Sequence, residues 1–310
     1  MTLVRITDSN VDAFIAFLKA HLGDEGRDFL GRIDARALFL KRSGDYFCLQ
    51  GDTPCATVSV SRTDHHDGYK VIGITIIPAS HNDGTLIFAL KEFLESEAQG
   101  PDSDHPRLYQ IIDTVENPLP ADDLRAAGFT AQPGRRKYLR DPGPPRPGEF
   151  PMADKALARG YRIVKLSPEM VAQDPEIFTR LAGIHTHIFA GKTGARAMDA
   201  DDMRACFNPP GGIVLALLDG EITGYMTYLP MKNDVLASEC ASLRRHWGSG
   251  SADAMCRFVA RIVADQWNLP IAAFGNARNA AACKVMERSG MRRVADYPVW
   301  EYRVEAGMAP

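Results

Sequence analysis

The sequence has no apolar run that approaches the roughly 20 residues needed to cross a bilayer, and its first residues lack the apolar core of a signal peptide. Its six cysteines show no spacing typical of a disulfide framework. Because the formal net charge is only −3, the sequence does not indicate a general attraction to nucleic acid or to a membrane surface. These absences favour a reduced, cytoplasmic protein with no nucleic-acid or membrane partner.

The composition is that of a globular protein, with 45% hydrophobic and 24% charged residues, and 310 residues allow two domains with a core each. Five of the 20 prolines fall between Asp141 and Pro151. Proline at this density removes backbone donors and excludes regular structure, so we expect a semi-rigid linker at 141–152. The sequence therefore predicts an N-terminal domain over residues 1–140 and a C-terminal domain over 153–310.

The two halves predict the same order of elements: a strand, an amphipathic helix, a hairpin, a further strand and helix, and then a strand, a short helix and closing strands. Asn117 lies eleven residues before Gly128, and Asn279 lies eleven before Gly290 (128 − 117 = 290 − 279). Such a repeat indicates two tandem copies of one fold, and the alternative is a chance similarity between two α/β domains.

The most informative stretch runs from Arg245 to Ser251, between a predicted strand at 235–243 and a predicted amphipathic helix at 252–266. A Gly-rich turn that opens a helix gathers unpaired backbone N–H groups at the positive end of the helix dipole. Gly248 and Gly250 carry no Cβ, so a ligand can approach the backbone closely. The pattern favours a phosphate or pyrophosphate site, and an ordinary strand-to-helix turn is the alternative.

A second stretch follows this helix, with an apolar run from Ile271 to Phe274 and then Asn279 before a short helix that ends at Gly290. With the pattern Arg245-x-x-Gly248-x-Gly250, it resembles the C-terminal half of the GCN5-related N-acetyltransferase (GNAT) family. The resemblance implies an α/β fold (an α+β mixed sheet) of two tandem GNAT-like domains, each a mostly antiparallel mixed sheet flanked by helices.

The same resemblance implies a site for acetyl-CoA or a related acyl-CoA as co-substrate, with an amine as acceptor and no metal. The residues that it assigns to the co-substrate are Ser242, Leu243, Arg244, Arg245, Gly248, Ser249, Gly250, Ser251 and Asn279. Among these, the backbone N–H groups of the glycine loop hold the pyrophosphate, a backbone N–H near Ser242 or Leu243 polarises the acyl carbonyl, and Asn279 lies by the pantetheine arm.

Glu239 is the candidate general base, because it is the only carboxylate within the predicted strand 235–243 and family members often carry a base there. The alternative places it on the solvent side of the pleat. The general acid is open. Many family members have a Tyr seven residues after the Asn, where this sequence has Met286, and the remaining candidates are a water, Tyr225, Tyr228 and Tyr297. His185 and His187 are further candidates for contact with the acceptor, or ordinary surface or packed histidines.

The first copy departs from the family pattern. Its loop has His81 and Leu86 at the positions of Arg245 and Gly250, and Asp83 adds a negative charge where a pyrophosphate would lie. Such a charge costs of order 1 kcal/mol or more, depending on screening. We therefore expect cofactor binding in the second copy alone, with the first copy as a structural partner or a wall of the acceptor site.

The leading hypothesis is an N-acyltransferase that moves an acyl group, typically acetyl, from acyl-CoA to a small-molecule or protein amine in a ternary complex. The alternative is a non-catalytic acyl-CoA-binding or sensor protein with the same fold. A nucleotide-binding domain of another type is disfavoured, because the loop lacks a P-loop Lys-Ser/Thr and a full GxGxxG. A homodimer remains open. The residues Asp64, His65, His66 and Asp67 are predicted to form a solvated hairpin tip rather than a metal site.

Overall fold

The computed structural model describes residues 2–23, 27, 30–31, 34–41, 44–66, 69–79, 85–98, 106–112, 119–189 and 198–305. The chain divides into two compact units. The first comprises Met1–Gly134 and Tyr297–Pro310, and the second comprises Arg135–Ala190 and Arg196–Asp296. Within the described residues, no helix is long and apolar enough to span a membrane.

The first unit is a mixed sheet with strand order β1-β2-β3-β4-β5-β12, in which β4 and β5 are parallel and the other pairs are antiparallel. Its strands are β1 (Thr2–Arg5), β2 (Asp45–Gln50), β3 (Thr53–His66), β4 (Tyr69–Pro78), β5 (Arg107–Ile112) and the end of β12 (Arg292–Val304). Its helices are α1 (Val11–His21), α2 (Ala35–Lys41), α3 (Thr85–Ala98) and α4 (Ala121–Ala126).

Two apolar clusters hold the first unit together. In one, Leu90 and Leu94 of α3 are buried against the central strands. In the other, Phe14 of α1 meets Phe39 and Phe47 edge-to-face, with ring centroids 5.1 and 5.5 Å apart. Both helices therefore bury the apolar stripe that their sequence periodicity predicts.

The second unit is also a mixed sheet, with strand order β6-β11-β10-β9-β8-β7, in which only β10 and β11 form a parallel pair. Its strands are β6 (Thr130–Arg140) from Arg135 onward, β7 (Arg162–Lys165), β8 (Gly212–Leu218), β9 (Glu221–Pro230), β10 (Val235–Ser242) and β11 (Ile271–Asn276). Its helices are α5 (Ala153–Ala158), α6 (Pro168–Gln173), α7 (Ile177–Phe189), α8 (Ala200–Phe207), α9 (Ser251–Gln266) and α10 (Ala280–Arg288).

Helices cover both faces of this second sheet. Met255 and Val259 of α9 share a cluster with Val214 of β8. Ile213 and Leu215, on either side of Val214, belong instead to the cluster beneath α7 and α8. Because neighbouring side chains of a strand point to opposite faces, α9 lies on one face and α7 and α8 lie on the other.

Local sequence accounts for the hairpin between β8 and β9. Asp219 and Gly220 both have positive φ, 51° and 84°, which is the type I′ turn that matches the twist of antiparallel strands. The predicted hairpin is therefore confirmed. The fold class is confirmed as well, because each unit is a mostly antiparallel mixed sheet flanked by helices.

The Pro-rich segment 141–152 contains neither helix nor strand. Arg140 holds it in place, since its guanidinium donates to backbone carbonyl groups within 141–144 and forms a 2.8 Å ion pair with Glu149. The two compact units do not divide at this segment, because Arg135 to Arg140 already belong to the second unit. The boundaries at 140 and 153, as the limits of independently folding domains, stay a prediction.

The C-terminal strand differs from expectation. The sequence predicts two strands, near 293–295 and 299–304, whereas the structure has the single strand β12 (Arg292–Val304). Its residues 299–304 pair antiparallel with β5 in the first unit. The residue before a proline is restricted to extended backbone, so a strand can continue through Tyr297 and Pro298.

Candidate functional site

The parallel strands β10 and β11 stop pairing after three residue pairs. Their register runs from Val235↔Ile271 to Ala237↔Ala273. Beyond this point β10 continues alongside β9, and β11 continues alongside β6. The two strands thus diverge and leave a gap between them, here called the cleft, and the backbone groups along its edges can pair with an extended ligand, as on the edge of a sheet.

A β-bulge lies where β10 leaves β11. Ala237 is opposite Tyr228 and Cys240 is opposite Met226, so Ser238 and Glu239 together face the single residue Thr227. A bulge of this kind bends its strand and re-aims a side chain. It places half-buried Glu239 at the opening of the cleft.

Backbone alternation decides which N–H groups face the cleft. The N–H of Leu243 donates to the carbonyl of Thr223 on β9, at 2.9 Å. In an antiparallel pair these bonds recur at every second residue, so the N–H groups of Cys240 and Ser242 point away from β9 and toward the cleft. Of the two residues predicted to polarise the acyl carbonyl, Ser242 and Leu243, only Ser242 has an N–H that faces away from β9, and its role stays a prediction.

The loop after β10 contains a short 3-10 turn, Arg244–His246, and two glycines with positive φ, 74° at Gly248 and 93° at Gly250. A Cβ added at Gly250 would overlap the carbonyl oxygen of Met152, whereas one added at Gly248 would meet nothing within 4 Å. Gly250 is thus required both by its backbone conformation and by close packing.

The loop ends at the N-terminus of the 16-residue helix α9. In the part of the chain that the structure describes, the N–H groups of Gly248, Gly250 and Ala252 donate to no protein atom. Ser249 and Ser251 are buried, and their hydroxyl groups lie 3.1 Å apart. Unpaired donors at the positive end of a helix dipole suit an anion, and anion binding by this loop stays a prediction.

A buried carboxylate lies in the first turn of α9. Asp253 is 1% exposed, and its two oxygens accept hydrogen bonds from Arg288 at 2.8 Å and from the N–H of Met152 at 3.3 Å. The charge of Arg288 compensates that of Asp253, so the donors of the loop stay available to an external anion.

The two arginines of the loop are engaged with protein groups. Arg245 forms a 3.2 Å ion pair with Glu221 and donates from Nε to His246 Nε2 at 3.0 Å. The guanidinium of Arg244 lies 5.7 Å from the ring centroid of Trp247. Their roles as cofactor ligands stay predictions, because binding through Arg245 would compete with Glu221.

His246 and Trp247 were missed by sequence reasoning. His246 Nδ1 lies 2.6 Å from the hydroxyl of Tyr161. Because Arg245 donates to Nε2, the proton of neutral His246 lies on Nδ1 and is donated to Tyr161. Burial and the charge of Arg245 lower the pKa of His246. The exposed indole of Trp247 donates to the carbonyl of Ser242 at 2.7 Å, so its ring lies at the loop end of the cleft.

On the other side of the cleft, Asn279 caps helix α10, and its side chain accepts from the N–H of Ala282 at 3.1 Å. The side chain of Met286, at the position where many relatives have Tyr, packs against Gly275 in the core. Contact between Asn279 and a pantetheine arm stays a prediction.

Tyr225 is the best placed of the candidate acids. It is fully buried, and its hydroxyl lies 2.6 Å from His185 Nδ1. Burial and the nearby carboxylate of Glu239 raise its pKa. The hydroxyl of Tyr228 is buried on the α9 side, and Tyr297 belongs to the first unit. His185 is buried against Tyr225 and His187 is exposed.

Arg135 and Phe274 are further residues that sequence reasoning missed. The guanidinium carbon of Arg135, on β6, lies 5.1 Å from the ring centroid of Phe274 on β11. Lys137 Nζ lies 5.8 Å from the same ring. The basic run from Arg135 to Lys137 is visible in the sequence, but it stands in the first half of the chain, far from the residues that it meets.

The predicted loop of the first copy, residues 81–84, and Asn117 lie outside the described residues, as does the turn around Asp67. Leu86 is described, and it is a buried core residue at the start of α3. Loss of cofactor binding by the first copy therefore stays a prediction.

No family model and no curated protein matches the sequence. Solved structures do match its fold. A GCN5-related N-acetyltransferase from Sphaerobacter thermophilus is 12% identical with a TM-score of 0.58, over 99% of this chain and 96% of that one. A tandem GNAT protein from the clavulanic acid biosynthesis pathway is 12% identical with a TM-score of 0.57, over 100% and 99%.

A GCN5-related N-acetyltransferase from Anabaena variabilis is 10% identical with a TM-score of 0.60, over 97% of this chain and 72% of that one. At these identities the likeness concerns the fold alone. The match with the tandem protein spans both chains almost completely. This chain therefore has the GCN5-related N-acetyltransferase fold in tandem.

Proposed function

We propose that this protein is an acyl-CoA-dependent N-acyltransferase, with acetyl-CoA as the first expectation, that acts through its second unit. The observation that carries the proposal is the cleft between β10 and β11, which opens beside an anion-binding loop at the start of α9. A cleft edged by backbone donors suits the amide-bearing arm of a coenzyme, and the loop suits its pyrophosphate.

The residues of the second unit fit such a ligand. The N–H groups of Gly248, Gly250 and Ala252 have no protein partner among the described residues, and a Cβ at Gly248 would meet no atom within 4 Å, so a ligand has room beside the backbone there. Acyl-CoA would supply an acyl group activated as a thioester. The N–H of Ser242, which faces the cleft, is the donor proposed to polarise the acyl carbonyl.

Glu239 is the proposed general base, directly or through a water. In the transfer, the amine nitrogen bonds to the acyl carbon as the C–S bond breaks, one proton leaves the nitrogen and one proton joins the thiolate. An amine with a pKa near that of Lys arrives protonated at neutral pH, so a proton acceptor is needed before attack. The bulge holds Glu239 at the opening of the cleft, where such an amine would approach.

The second candidate function is binding of acyl-CoA without turnover. Met286 packed in the core, in place of the usual Tyr, favours this alternative. Buried Tyr225 favours catalysis, because its hydroxyl offers a proton donor near Glu239 in place of the usual Tyr. A sensor has no use for a carboxylate at the mouth of the cleft.

Calorimetric titration with CoA and acetyl-CoA tests the proposal, followed by an assay of thiol release with a panel of amines. We expect one site per chain. A ligand at one hundred times its dissociation constant should also stabilise the fold by about 2.7 kcal/mol. Binding with no release of thiol for any amine would favour the sensor, and no binding would refute both functions.

A further inference from the structure

Phe274 is the first residue of β11 beyond its last pair with β10, so its ring marks the opening of the cleft. Lys137 stands directly opposite Phe274 in the β6–β11 register, and Arg135 stands opposite Asn276. Side chains in these positions share one face of the sheet. Two cations therefore flank a single aromatic ring, at 5.1 and 5.8 Å from its centroid.

Glu239 lies on the same face of the sheet as Phe274 and the two cations. Ala237 and Ala273, the last pair before the cleft, both belong to the cluster beneath α9, so Phe274 points to the opposite face. Tyr225 lies on that opposite face, beneath α7 and α8, and it is close enough to Glu239 for the carboxylate to raise its pKa. The proposed base and the two cations thus meet on the same side of the sheet.

Arg135 has no close charge partner in the described part of the chain. Among the described residues it makes no hydrogen bond and no ion pair within 4 Å. The side chain of Arg135 is exposed at the surface, yet desolvation by the surrounding protein lowers its pKa. The negative charge of Glu239 acts in the opposite direction and raises that pKa. A partly desolvated guanidinium is stabilised strongly by an oxyanion that accepts two parallel hydrogen bonds from it.

We propose, resting on the proposed function, that the amine acceptor carries an anionic group, a carboxylate or a phosphate, which Arg135 and Lys137 bind while the amine lies at Glu239. Phe274 would pack against the carbon atoms between the two groups. The acceptor class is then a small amino acid or an amino-alkyl phosphate analogue rather than a simple alkylamine.

Matched acceptors separate these chemistries. β-Alanine, β-alaninamide and 2-aminoethylphosphonate share one carbon spacing and differ in the second group. Glycine, glycinamide and aminomethylphosphonate repeat the comparison with a shorter spacing. Two measurements apply to each acceptor: kcat/KM with acetyl-CoA, and calorimetric affinity in the presence of saturating CoA, which needs no turnover.

Three variants test the residue. Arg135→Gln removes the positive charge and keeps a long polar side chain. Arg135→Lys keeps the charge but lacks the planar guanidinium that can donate two parallel hydrogen bonds. Arg261→Gln is a control at an exposed position on α9. For anionic acceptors, Arg135→Gln should lower kcat/KM and affinity about tenfold to hundredfold. Arg135→Lys should recover part of this, and Arg261→Gln should change nothing. The carboxamides should respond to none of the variants.

The proposed anion site is refuted if the carboxamides react as well as the matched anionic acceptors. It is also refuted if Arg135→Gln lowers kcat/KM and affinity equally for all acceptors. A preference for phosphonates over carboxylates would keep the site and assign it to phosphate. If acetyl-CoA binds but no acceptor reacts, the transferase proposal fails. Affinity that still depends on both Arg135 and the anion would then support the site alone, and its absence would overturn it.

Discussion

The backbone N–H of Glu239 donates a 3.1 Å hydrogen bond to the side-chain oxygen of Thr227. A bulged residue loses its ordinary partner on the neighbouring strand, and here a threonine hydroxyl replaces that partner. The bond therefore ties the proposed base to the strand that it would otherwise leave. The position of the Glu239 side chain depends on a residue twelve positions earlier in the chain.

Replacing Thr227 by Val should loosen this bulge. Thr227 is 1% exposed, so the change keeps its shape but leaves the N–H of Glu239 without its acceptor. We expect the free energy of unfolding to fall by about 1–3 kcal/mol. We also expect the rate of acyl transfer to fall while acetyl-CoA affinity stays close to normal, since the loop between β10 and α9 is unchanged. Denaturant titration, calorimetry and steady-state kinetics measure the three effects.

Thr223→Val is the matched control for this change. Thr223 lies on the same strand, is equally buried and donates to the carbonyl of Ala216 at 3.0 Å. Its loss should destabilise the protein by a similar amount without a specific effect on turnover. Equal losses of turnover in both variants would show that the Thr227 bond supports the fold and not the base.

The exchange Glu239→Gln should separate binding from turnover. Glutamine keeps the size and hydrogen bonding of the side chain but removes the basic oxygen. We expect normal acyl-CoA affinity with turnover lowered roughly 10²–10⁴-fold, and an altered low-pH limb of the rate profile. Glu176→Gln, at an exposed position, is the control. An unchanged rate and pH profile would give the role to another residue or to water.

The two glycines of the loop should differ in their tolerance of a methyl group. Gly250→Ala places a Cβ on the carbonyl oxygen of Met152 at a φ of 93°, so it should displace the loop, destabilise the protein and abolish CoA binding. Gly248→Ala meets no atom within 4 Å and carries only the strain of its positive φ, about 1 kcal/mol. Calorimetry with CoA on both variants tests the contrast, and equal affinities would contradict it.

The lowered pKa of His246 predicts how stability varies with pH. Below the ordinary value of 6.5 the unfolded chain binds a proton that the folded chain resists. The free energy of unfolding should therefore decrease as the pH falls from 6.5 toward the folded pKa, and His246→Gln should flatten this slope. Urea titrations across pH 5–8, roughly the titration range of histidine, provide the measurement. The exposed His187→Gln variant should keep the slope, and an identical slope in His246→Gln would refute the prediction.

Much of the second unit follows from local sequence. The Asp219-Gly220 turn predicts the β8–β9 hairpin, because few other residue pairs adopt two successive positive φ angles. The glycines at 248 and 250 predict a helix-opening loop, and the structure shows that both adopt positive φ. Helix α9 follows from the spacing of its apolar residues. Each of these features depends on residues within a few positions of one another.

Other features depend on strand partners that no local pattern specifies. The bulge at Glu239 exists only because Ser238 and Glu239 face one residue of β9. Local sequence identifies Glu239 as the single carboxylate of its strand, but the register determines which way the side chain points. The same register directs the N–H of Leu243 toward β9 and the N–H of Ser242 away from it.

The meeting of Arg135 with Phe274 depends wholly on tertiary structure. The two residues are separated by 139 positions (274 − 135), and they come together because β6 pairs with β11. A strand can exchange its partner without changing its own alternation of side chains, so its sequence determines that it is a strand and not where it lies. The sequence alone therefore determined the elements, the glycine loop and the identity of the carboxylate, whereas the pairing of strands across the chain decided which charged groups surround it.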